Sequence, residues 1–317
     1  MSDFDGYQFS SHFFEVGGLR YHYIDERAGN GLSSGGGNDV SGDDDGGVLL
    51  MVHGNPTWSY MWRRLILAFR GKYRCVAVDH IGCGLSDKPV ESVYEYTLSR
   101  RVDDLVRFIE DRDLRKITLV GHDWGGVIGM GAAVKLFDRF DRFVLMNTAA
   151  FRSIDCPLRI RFCRLPFLGR FLVQGLNIFS IATMWMAVSS RRHLPFDVRS
   201  AFLAPYNSWS NRVAIYKFVQ DIPLSPHHCS YEILSEIEDF LPQFREKRMC
   251  FIWGMLDWCF SPEFLKRFLQ YFPDANVYRL ENAHHLLLED APDEVIAAMN
   301  DFFVKELGDK KGIGDIG

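Results

Sequence analysis

The sequence predicts an α/β protein in which a mostly parallel, eight-stranded sheet is flanked by helices. Three observations predict it: six short apolar runs, segments of helical period between them, and a candidate hairpin ahead of them. Short apolar runs that alternate with helices are typical of parallel strands buried on both faces. The runs lie at 48–52, 73–78, 117–120, 143–146, 250–253 and 277–280. The clearest helical segments lie at 98–109, 126–137, 262–272 and 292–303.

The N-terminal part of the chain predicts a β-hairpin followed by a loop. Residues 13–16 and 19–24 are rich in β-forming side chains and flank Gly17 and Gly18. Residues 28–47 are almost wholly Gly, Ser, Asn and Asp. Such a segment buries no core, so we expect it to form a disordered surface loop.

A long block without a clear strand, residues 152–228, separates the fourth and fifth parallel runs. We expect it to form a helical cap, with 1–151 and 229–317 making up the core domain. Residues 152–221 contain ten Lys or Arg against three Asp, in a chain whose formal net charge is −5. A segment both basic and apolar suits a peripheral membrane contact, an acidic ligand or a second subunit. Arg stems that lie along a helical surface give the same composition.

Composition narrows the possible partners and the location of the protein. No basic motif of a nucleic-acid-binding fold accompanies the positive charge, so no nucleic-acid partner is expected. The most apolar run, 171–188, is interrupted by polar residues and predicts a buried helix or pair of helices rather than a membrane span. Seven Cys form no CxxC pair and no zinc spacing, which predicts free thiols and no metal site. With an acidic, polar N-terminus, these features predict a cytoplasmic protein.

The residues that follow the predicted strands carry the chemistry, because ligands of open α/β sheets gather at the carboxyl ends of strands. Residues 121–126, Gly-His-Asp-Trp-Gly-Gly, have the Gly-x-nucleophile-x-Gly outline of a nucleophile elbow. An acid and a His follow the last two strands. Nucleophile, acid and His in this order predict an α/β-hydrolase fold, with Asp123, Asp257 and His285 as the catalytic residues. A lone Asp on such a turn also serves as a helix N-cap.

Three segments resemble haloalkane dehalogenases: residues 53–63 (HGNPTWSYMWR), the elbow, and residues 253–258 (WGMLDW). The likeness extends from about residue 15 to residue 305. The HDWGG sequence is shared with epoxide hydrolases, which usually carry an apolar or aromatic residue where this chain has Asn55. Asn55 and the acid after the penultimate strand resemble the third dehalogenase subfamily. That subfamily also contains the β-lactone decarboxylases of bacterial long-chain olefin synthesis.

The resemblance implies a role for each site residue. Asp123 would displace a halide from a saturated carbon and form an alkyl ester, which His285, oriented by Asp257, would direct water to hydrolyse. A Ser would leave an ether, which has no carbonyl for water to attack. Asn55 and Trp124 would donate to the departing halide ion, and their backbone N–H groups would form the oxyanion hole. The substrate would be a small apolar halogenated or lactone compound, with water as co-substrate and no cofactor.

Hydrolytic dehalogenation is therefore the predicted function, with decarboxylation of a β-lactone to a long-chain cis-alkene and CO₂ as the alternative. Epoxide hydrolysis is a second alternative, for which Tyr206 and Tyr216 are candidate activating residues, although packing roles suit both better. A ligand receptor on this fold would predict an eroded triad, and no member of the triad is missing.

Two of the catalytic positions have competitors nearby. The family's small-Gly-His ending is replaced by Ala-His-His, and the register against the following Leu-Leu-Leu-Glu-Asp favours His285 over His284 as the base. Asp155 competes with Asp257 for the role of the acid. Three further polar residues at strand ends are expected to shape loops: His53, Asp79 and His80.

Overall fold

The computed structural model describes residues 4, 6–27, 47–189 and 193–305. All eight predicted strands are present. They are β1 (Ser11–Val16), β2 (Leu19–Glu26), β3 (Val48–Val52), β4 (Arg74–Val78), β5 (Ile117–Asp123), β6 (Phe140–Thr148), β7 (Arg248–Gly254) and β8 (Asn276–Leu280). The loop predicted at 28–47 lies, apart from Gly47, outside the described residues.

The strands form one sheet in the order β1-β2-β4-β3-β5-β6-β7-β8. The first two strands form the predicted antiparallel hairpin, and β2 pairs antiparallel with β4. All remaining neighbours are parallel. The carboxyl ends of the parallel strands therefore meet at one edge of the sheet, with β5 near its centre.

Helices cover both faces of the sheet. They are α1 (Arg63–Phe69), α2 (Leu98–Asp111), α3 (Trp124–Lys135), α4 (Leu158–Cys163), α5 (Leu168–Arg170), α6 (Ile178–Met186), α7 (Phe196–Leu203), α8 (Val213–Gln220), α9 (Tyr231–Phe240), α10 (Pro262–Tyr271), α11 (Leu287–Asp290) and α12 (Pro292–Val304). Because strand side chains alternate in direction, Leu50 and Val52 of β3 enter one apolar cluster, and Leu49 and Met51 enter the other. The parallel strands thus have no solvated face, which explains why they appear in the sequence as continuous apolar runs.

The chain between β6 and β7 consists of short helices joined by loops in its described part, residues 149–189 and 193–247, and contains no strand there. It includes a π-helical turn, Phe171–Gly175, directly before α6. The prediction that residues 171–188 are buried was wrong in part, because Phe171, Ile178, Ile181 and Trp185 are 42–54% exposed. Among the described residues, no helix has the length and apolar character needed to cross a membrane.

Candidate active site

A sharp strand-to-helix turn places Asp123 at the carboxyl end of β5. The strand runs directly into α3, and Asp123 adopts φ 52° and ψ −129°, a region that residues other than glycine rarely occupy. A Cβ on Gly125 would lie 1.8 Å from the carbonyl oxygen of Val52, and one on Gly126 would lie 2.1 Å from Thr148 Oγ1. The packing therefore requires glycine at both positions. The side chain of Asp123 makes no N-cap hydrogen bond, so the capping interpretation is wrong.

The two oxygens of the Asp123 carboxylate have different surroundings. Oδ1 accepts a hydrogen bond from the backbone N–H of Asn55 at 2.7 Å, and the backbone N–H of Trp124 also donates to the carboxylate. Oδ2 lies 3.7 Å from Nε2 of His285. One oxygen is thus held by the main-chain donor of Asn55, one of the two residues predicted to form the oxyanion hole, while the other faces the imidazole.

Asp257 orients His285. Nδ1 of His285 lies 2.8 Å from Asp257 Oδ2, and Asp257 Oδ1 accepts a hydrogen bond from the backbone N–H of Cys259 at 2.6 Å. Asp257 follows β7 and His285 follows β8, so two paired strands bring the side chains together. With Nδ1 donating to Asp257, Nε2 is directed at Asp123. This is the relative placement of nucleophile, base and orienting acid that covalent catalysis needs.

The three side chains alter one another's protonation. Burial raises the pKa of Asp123, against the opposing effects of His285 and the backbone donors. Burial lowers the pKa of His285, but the Asp257 carboxylate outweighs burial and raises that pKa above its usual value. Burial raises the pKa of Asp257, but His285 and the N–H of Cys259 outweigh it and lower that pKa. Asp257 therefore remains a carboxylate that stabilises an imidazolium at His285.

An apolar cavity lies in front of Asp123 and His285. Its walls come from α2, α3, α9 and the loop after β7, together with helices of the segment between β6 and β7. An apolar wall with few polar groups favours an apolar substrate and strengthens electrostatic interactions at the carboxylate. Its apolar lining includes Leu98, Val127, Phe151, Ile160, Phe179, Val219, Ile222, Leu234, Phe260 and Phe264.

The two predicted halide donors, Asn55 and Trp124, both line this cavity. Asn55 Nδ2 donates one hydrogen bond to the carbonyl of Ile215 at 3.2 Å, which leaves its second N–H for a ligand. The Trp124 ring packs against Phe218 with ring centroids 5.3 Å apart. Their positions suit a leaving group that becomes negatively charged, and their roles stay predictions.

The structure shows which of the competing side chains lie next to Asp123 and His285. His284 turns away from Asp123: its Nδ1 lies 3.3 Å from Asp290 Oδ2. Asp155 lines the cavity but is exposed, and its carboxylate accepts a hydrogen bond from the hydroxyl of Ser153 at 3.2 Å. The acid next to His285 is Asp257, as the sequence favoured.

The residues predicted to shape loops make buried hydrogen bonds to the backbone. His53 Nδ1 donates to the carbonyl of Gly54 at 2.7 Å, and His80 Nε2 donates to the carbonyl of His53 at 2.9 Å. Asp79 Oδ1 accepts from the backbone N–H of Ser59 at 2.7 Å. These contacts fix the connections after β3 and β4 that support the oxyanion hole.

The two tyrosines considered for epoxide activation lie outside the described cavity lining. Tyr206 is buried, and its hydroxyl donates to the carbonyl of Thr57 at 2.9 Å. Tyr216 is also buried, and both tyrosines belong to the apolar cluster that contains Leu49 and Met51 of β3. Their positions agree with packing roles rather than with polarisation of a substrate oxygen.

His122 is a supporting residue that sequence reasoning missed. It is fully buried, and its Nε2 donates to the carbonyl of His285 at 2.8 Å. Burial lowers the pKa of His122 to about 3, so the ring is neutral and fixes the backbone that carries the base. The sequence feature that could have identified His122 is its position directly before Asp123 in the elbow. On the other side of the elbow, Thr148 Oγ1 donates to the carbonyl of Asp123 at 2.5 Å.

One group of possible metal ligands occurs among the described residues, at Asp221, His228 and Cys229. Asp221 already accepts hydrogen bonds from Arg101 Nη1 at 2.9 Å and Ser230 Oγ at 2.5 Å. Both ring nitrogens of His228 are also bonded, to the carbonyl of Gln220 and the N–H of Ser230. The carboxylate and the imidazole therefore already take part in a hydrogen-bond network, which runs from buried Asp221 to exposed Cys229.

Known proteins are similar to this chain in sequence and in fold. A family model described as alpha/beta hydrolase fold matches residues 47–292. The cis-3-alkyl-4-alkyloxetan-2-one decarboxylase of Shewanella oneidensis is 40% identical over 301 residues, covering 94% of this chain and 89% of that protein. Haloalkane dehalogenase 2 of Mycobacterium bovis is 31% identical over 303 residues, covering 94% of this chain and 96% of that protein.

Among solved structures, haloalkane dehalogenase DbeA from Bradyrhizobium elkani USDA94 has the same fold. The TM-score is 0.80 at 21% identity, covering 93% of this chain and 97% of that one. The predicted fold and the predicted family are therefore confirmed. The chain belongs to the α/β hydrolase family, with haloalkane dehalogenases and an oxetan-2-one decarboxylase among its relatives.

Proposed function

We propose that the chain decarboxylates cis-3,4-dialkyl oxetan-2-ones, the four-membered β-lactones, to an alkene and CO₂. The observation that carries this proposal is the 40% identity to a decarboxylase of that substrate class over 94% of the chain. The dehalogenase expectation becomes the second candidate, because the dehalogenase relative is 31% identical over a similar span.

The first step would use the free oxygen of Asp123. Oδ2 attacks ring carbon C4 from the side opposite the ring oxygen, and the C4–O1 bond breaks with its electron pair left on O1. The products are an alkyl ester of Asp123 and a free carboxylate on the neighbouring carbon, with inversion at C4. Asn55 and Trp124 line the cavity, and their N–H groups would donate to the released carboxylate.

The second step would be fragmentation of the ester. The C2–C3 bond breaks to release CO₂, its electron pair forms the C3=C4 double bond, and the C4–Oδ2 bond returns its pair to Asp123. Inversion in the first step followed by anti elimination in the second gives a cis-alkene from a cis-lactone. No water is consumed, and His285 stabilises the regenerated carboxylate instead of activating water.

The apolar cavity supports the proposed two-step reaction for a physical reason. A carboxylate that becomes neutral CO₂ loses its charge in the reaction, so surroundings that solvate the anion poorly favour the step. The apolar lining also suits two alkyl substituents. It further limits the access of water that would hydrolyse the intermediate.

Hydrolytic dehalogenation stays the second candidate because one observation favours it. Asn55 and Trp124 each line the cavity next to Asp123 and carry side-chain N–H donors suited to a halide. The same alkyl ester forms in both reactions. What differs is its fate, fragmentation in one case and attack by water in the other.

Purified protein supplied with a synthetic cis-3,4-dialkyl oxetan-2-one in ¹⁸O-labelled water tests the proposal. We expect alkene and CO₂ in equal amounts by gas chromatography, and no ¹⁸O in the peptide that carries Asp123 after many turnovers. Asp123→Asn should abolish alkene formation, whereas Asp274→Asn, at an exposed turn, should not.

Formation of the 3-hydroxy acid instead of the alkene would contradict the proposal. Halide release from bromoalkanes without any alkene from the lactone would support the second candidate. In that reaction ¹⁸O enters Asp123, because water attacks the ester carbonyl.

A further inference from the structure

The segment between β6 and β7 presents large apolar side chains to solvent. Six of them define what we call the exposed apolar patch. They are Leu158, Phe162, Phe167, Ile181, Trp185 and Phe196, with exposed fractions from 42% to 91%. They lie on α4, on the turn before α5, and on α6 and α7. Large apolar patches on a protein surface mark contact with another apolar surface.

Two helices of this segment are apolar on both of their faces. In α6, Phe179 and Thr183 line the cavity, while Ile181 and Trp185 face outward. In α4, Ile160 lines the cavity, and its neighbours on the other face belong to the patch. A helix with a single buried face needs only one apolar stripe. The second stripe is not explained by packing within the described chain.

Phe167 is the most exposed member of the patch. Its side chain is 91% exposed, and its backbone has φ 61° and ψ −59°. A bulky residue in this region of positive φ is strained, since Cβ crowds the neighbouring carbonyl. The chain therefore holds a largely exposed aromatic ring on a strained turn.

The charged groups around the patch include three arginines without an acidic partner, and the exposed carboxylates of Asp155 and Asp197. Arg199 lies over the ring of Trp185 at 4.3 Å, and Nη1 of Arg159 contacts Met186 Sδ at 3.4 Å. Arg161 donates to main-chain carbonyls. Among the described residues, none of these three arginines forms an ion pair. The patch thus combines apolar bulk with three arginines that no acidic side chain of the described residues neutralises.

We propose that the exposed apolar patch docks onto an anionic lipid bilayer. Aromatic and aliphatic side chains would enter the headgroup region while the arginines pair with lipid phosphates, as in surface-bound amphipathic helices. A two-fold contact with a second copy fits less well, because it would set the same arginines against each other. Since α4 and α6 also line the cavity, a docked protein would present the cavity wall to the bilayer. Docking does not depend on which reaction the site performs.

Vesicle co-sedimentation of the full chain tests the proposal. We expect binding to phosphatidylglycerol vesicles, weak binding to phosphatidylcholine vesicles, and weaker binding to the former when salt rises from about 0.1 M to about 0.5 M. The double variant Phe162→Ser/Phe167→Asn should reduce the partition coefficient roughly tenfold. Asn is found at positive φ more often than Phe, and both positions are exposed, so this variant should fold normally.

Matched variants distinguish the patch from the general surface. Arg159→Gln/Arg161→Gln should weaken binding to the anionic vesicles and reduce its salt dependence. Leu67→Ser/Arg64→Gln, which changes one exposed apolar and one exposed basic residue on α1, should leave binding unchanged. Circular dichroism and thermal unfolding establish that every variant is folded.

Three results would overturn the proposal. The first is no binding of the full chain to anionic vesicles. The second is equal loss of binding in the α1 control. The third is concentration-dependent self-association by analytical ultracentrifugation that the Phe162→Ser/Phe167→Asn variant abolishes, because the patch would then be a contact between copies.

Discussion

At the scale of single residues, the chemistry depends on the different roles of the two oxygens of the Asp123 carboxylate. Asp123 Oδ1 is held by a main-chain donor at Asn55, while Oδ2 faces His285 and the cavity. The alkyl ester formed at Oδ2 can be attacked by water or can fragment. The first outcome needs His285 as a base, whereas the second needs it only to stabilise the returning anion.

The variant His285→Phe should therefore separate the two reactions. With a bromoalkane we expect the ester to accumulate, seen by mass spectrometry as one alkyl group on Asp123, and halide turnover to fall by roughly 10³-fold. With the lactone we expect alkene formation to continue, slowed by about tenfold. Unmodified Asp123 after bromoalkane treatment, or equal loss of both activities, would contradict the different roles assigned to His285 in the two reactions.

The pH dependence of the two reactions should differ for the same reason. Hydrolysis of the ester requires neutral His285, whose pKa is raised, so this activity should be lost as pH falls through that raised value. Decarboxylation requires the Asp123 carboxylate, so it should persist until pH falls through the pKa of Asp123, itself raised by burial from a lower starting point. We expect the acid limb of alkene formation at lower pH than the acid limb of halide release. Coincident limbs in the two pH–rate profiles would be inconsistent with this assignment.

At the scale of secondary-structure elements, the core was predictable and the segment between β6 and β7 was less so. The central strands are buried on both faces and therefore appear as continuous apolar runs, which located six of the eight strands. The two hairpin strands were located by β-forming residues on either side of Gly17 and Gly18. The order of Asp123, Asp257 and His285 predicted which strand ends meet. The exposed stripe of α6 was missed, because an apolar helix has the same composition whether its second face meets protein, lipid or water.

The close packing of the elbow between β5 and α3 leads to a prediction about the stability of the protein. In Gly125→Ala the new Cβ would lie 1.8 Å from the Val52 carbonyl oxygen, and neither backbone segment can move without disturbing the sheet. We expect the free energy of unfolding to fall by about 3 kcal/mol or more in urea titrations. Gly71→Ala is the matched control, since a Cβ there meets nothing within 4 Å. Equal stability of the two variants would mean that the elbow is not tightly packed.

At the scale of the whole molecule, one buried carboxylate connects three separate parts of the chain. Asp79, after β4, accepts hydrogen bonds from His22 Nδ1 of β2, from the N–H of Ser59 before α1, and from the N–H of Leu85. These contacts join the N-terminal hairpin to the loops beneath the oxyanion hole. Burial alone raises the pKa of a carboxyl, but His22 and the other partners outweigh it and lower the pKa of Asp79 to about 2.

The acid stability of the whole protein should therefore depend on Asp79. A carboxyl whose folded pKa is about 2, against an ordinary 3.8, stabilises the fold above about pH 4, and this stabilisation is lost as pH falls towards 2. Linkage makes the loss about 2 kcal/mol. Asp79→Asn should be less stable than wild type at pH 7, because one amide oxygen cannot accept from three donors. Between pH 4 and pH 2 its stability should fall by about 2 kcal/mol less than that of wild type. Urea unfolding across this pH range measures both effects, with Asp274→Asn as the surface control. Parallel profiles of stability against pH for Asp79→Asn and wild type would exclude Asp79 as the group responsible.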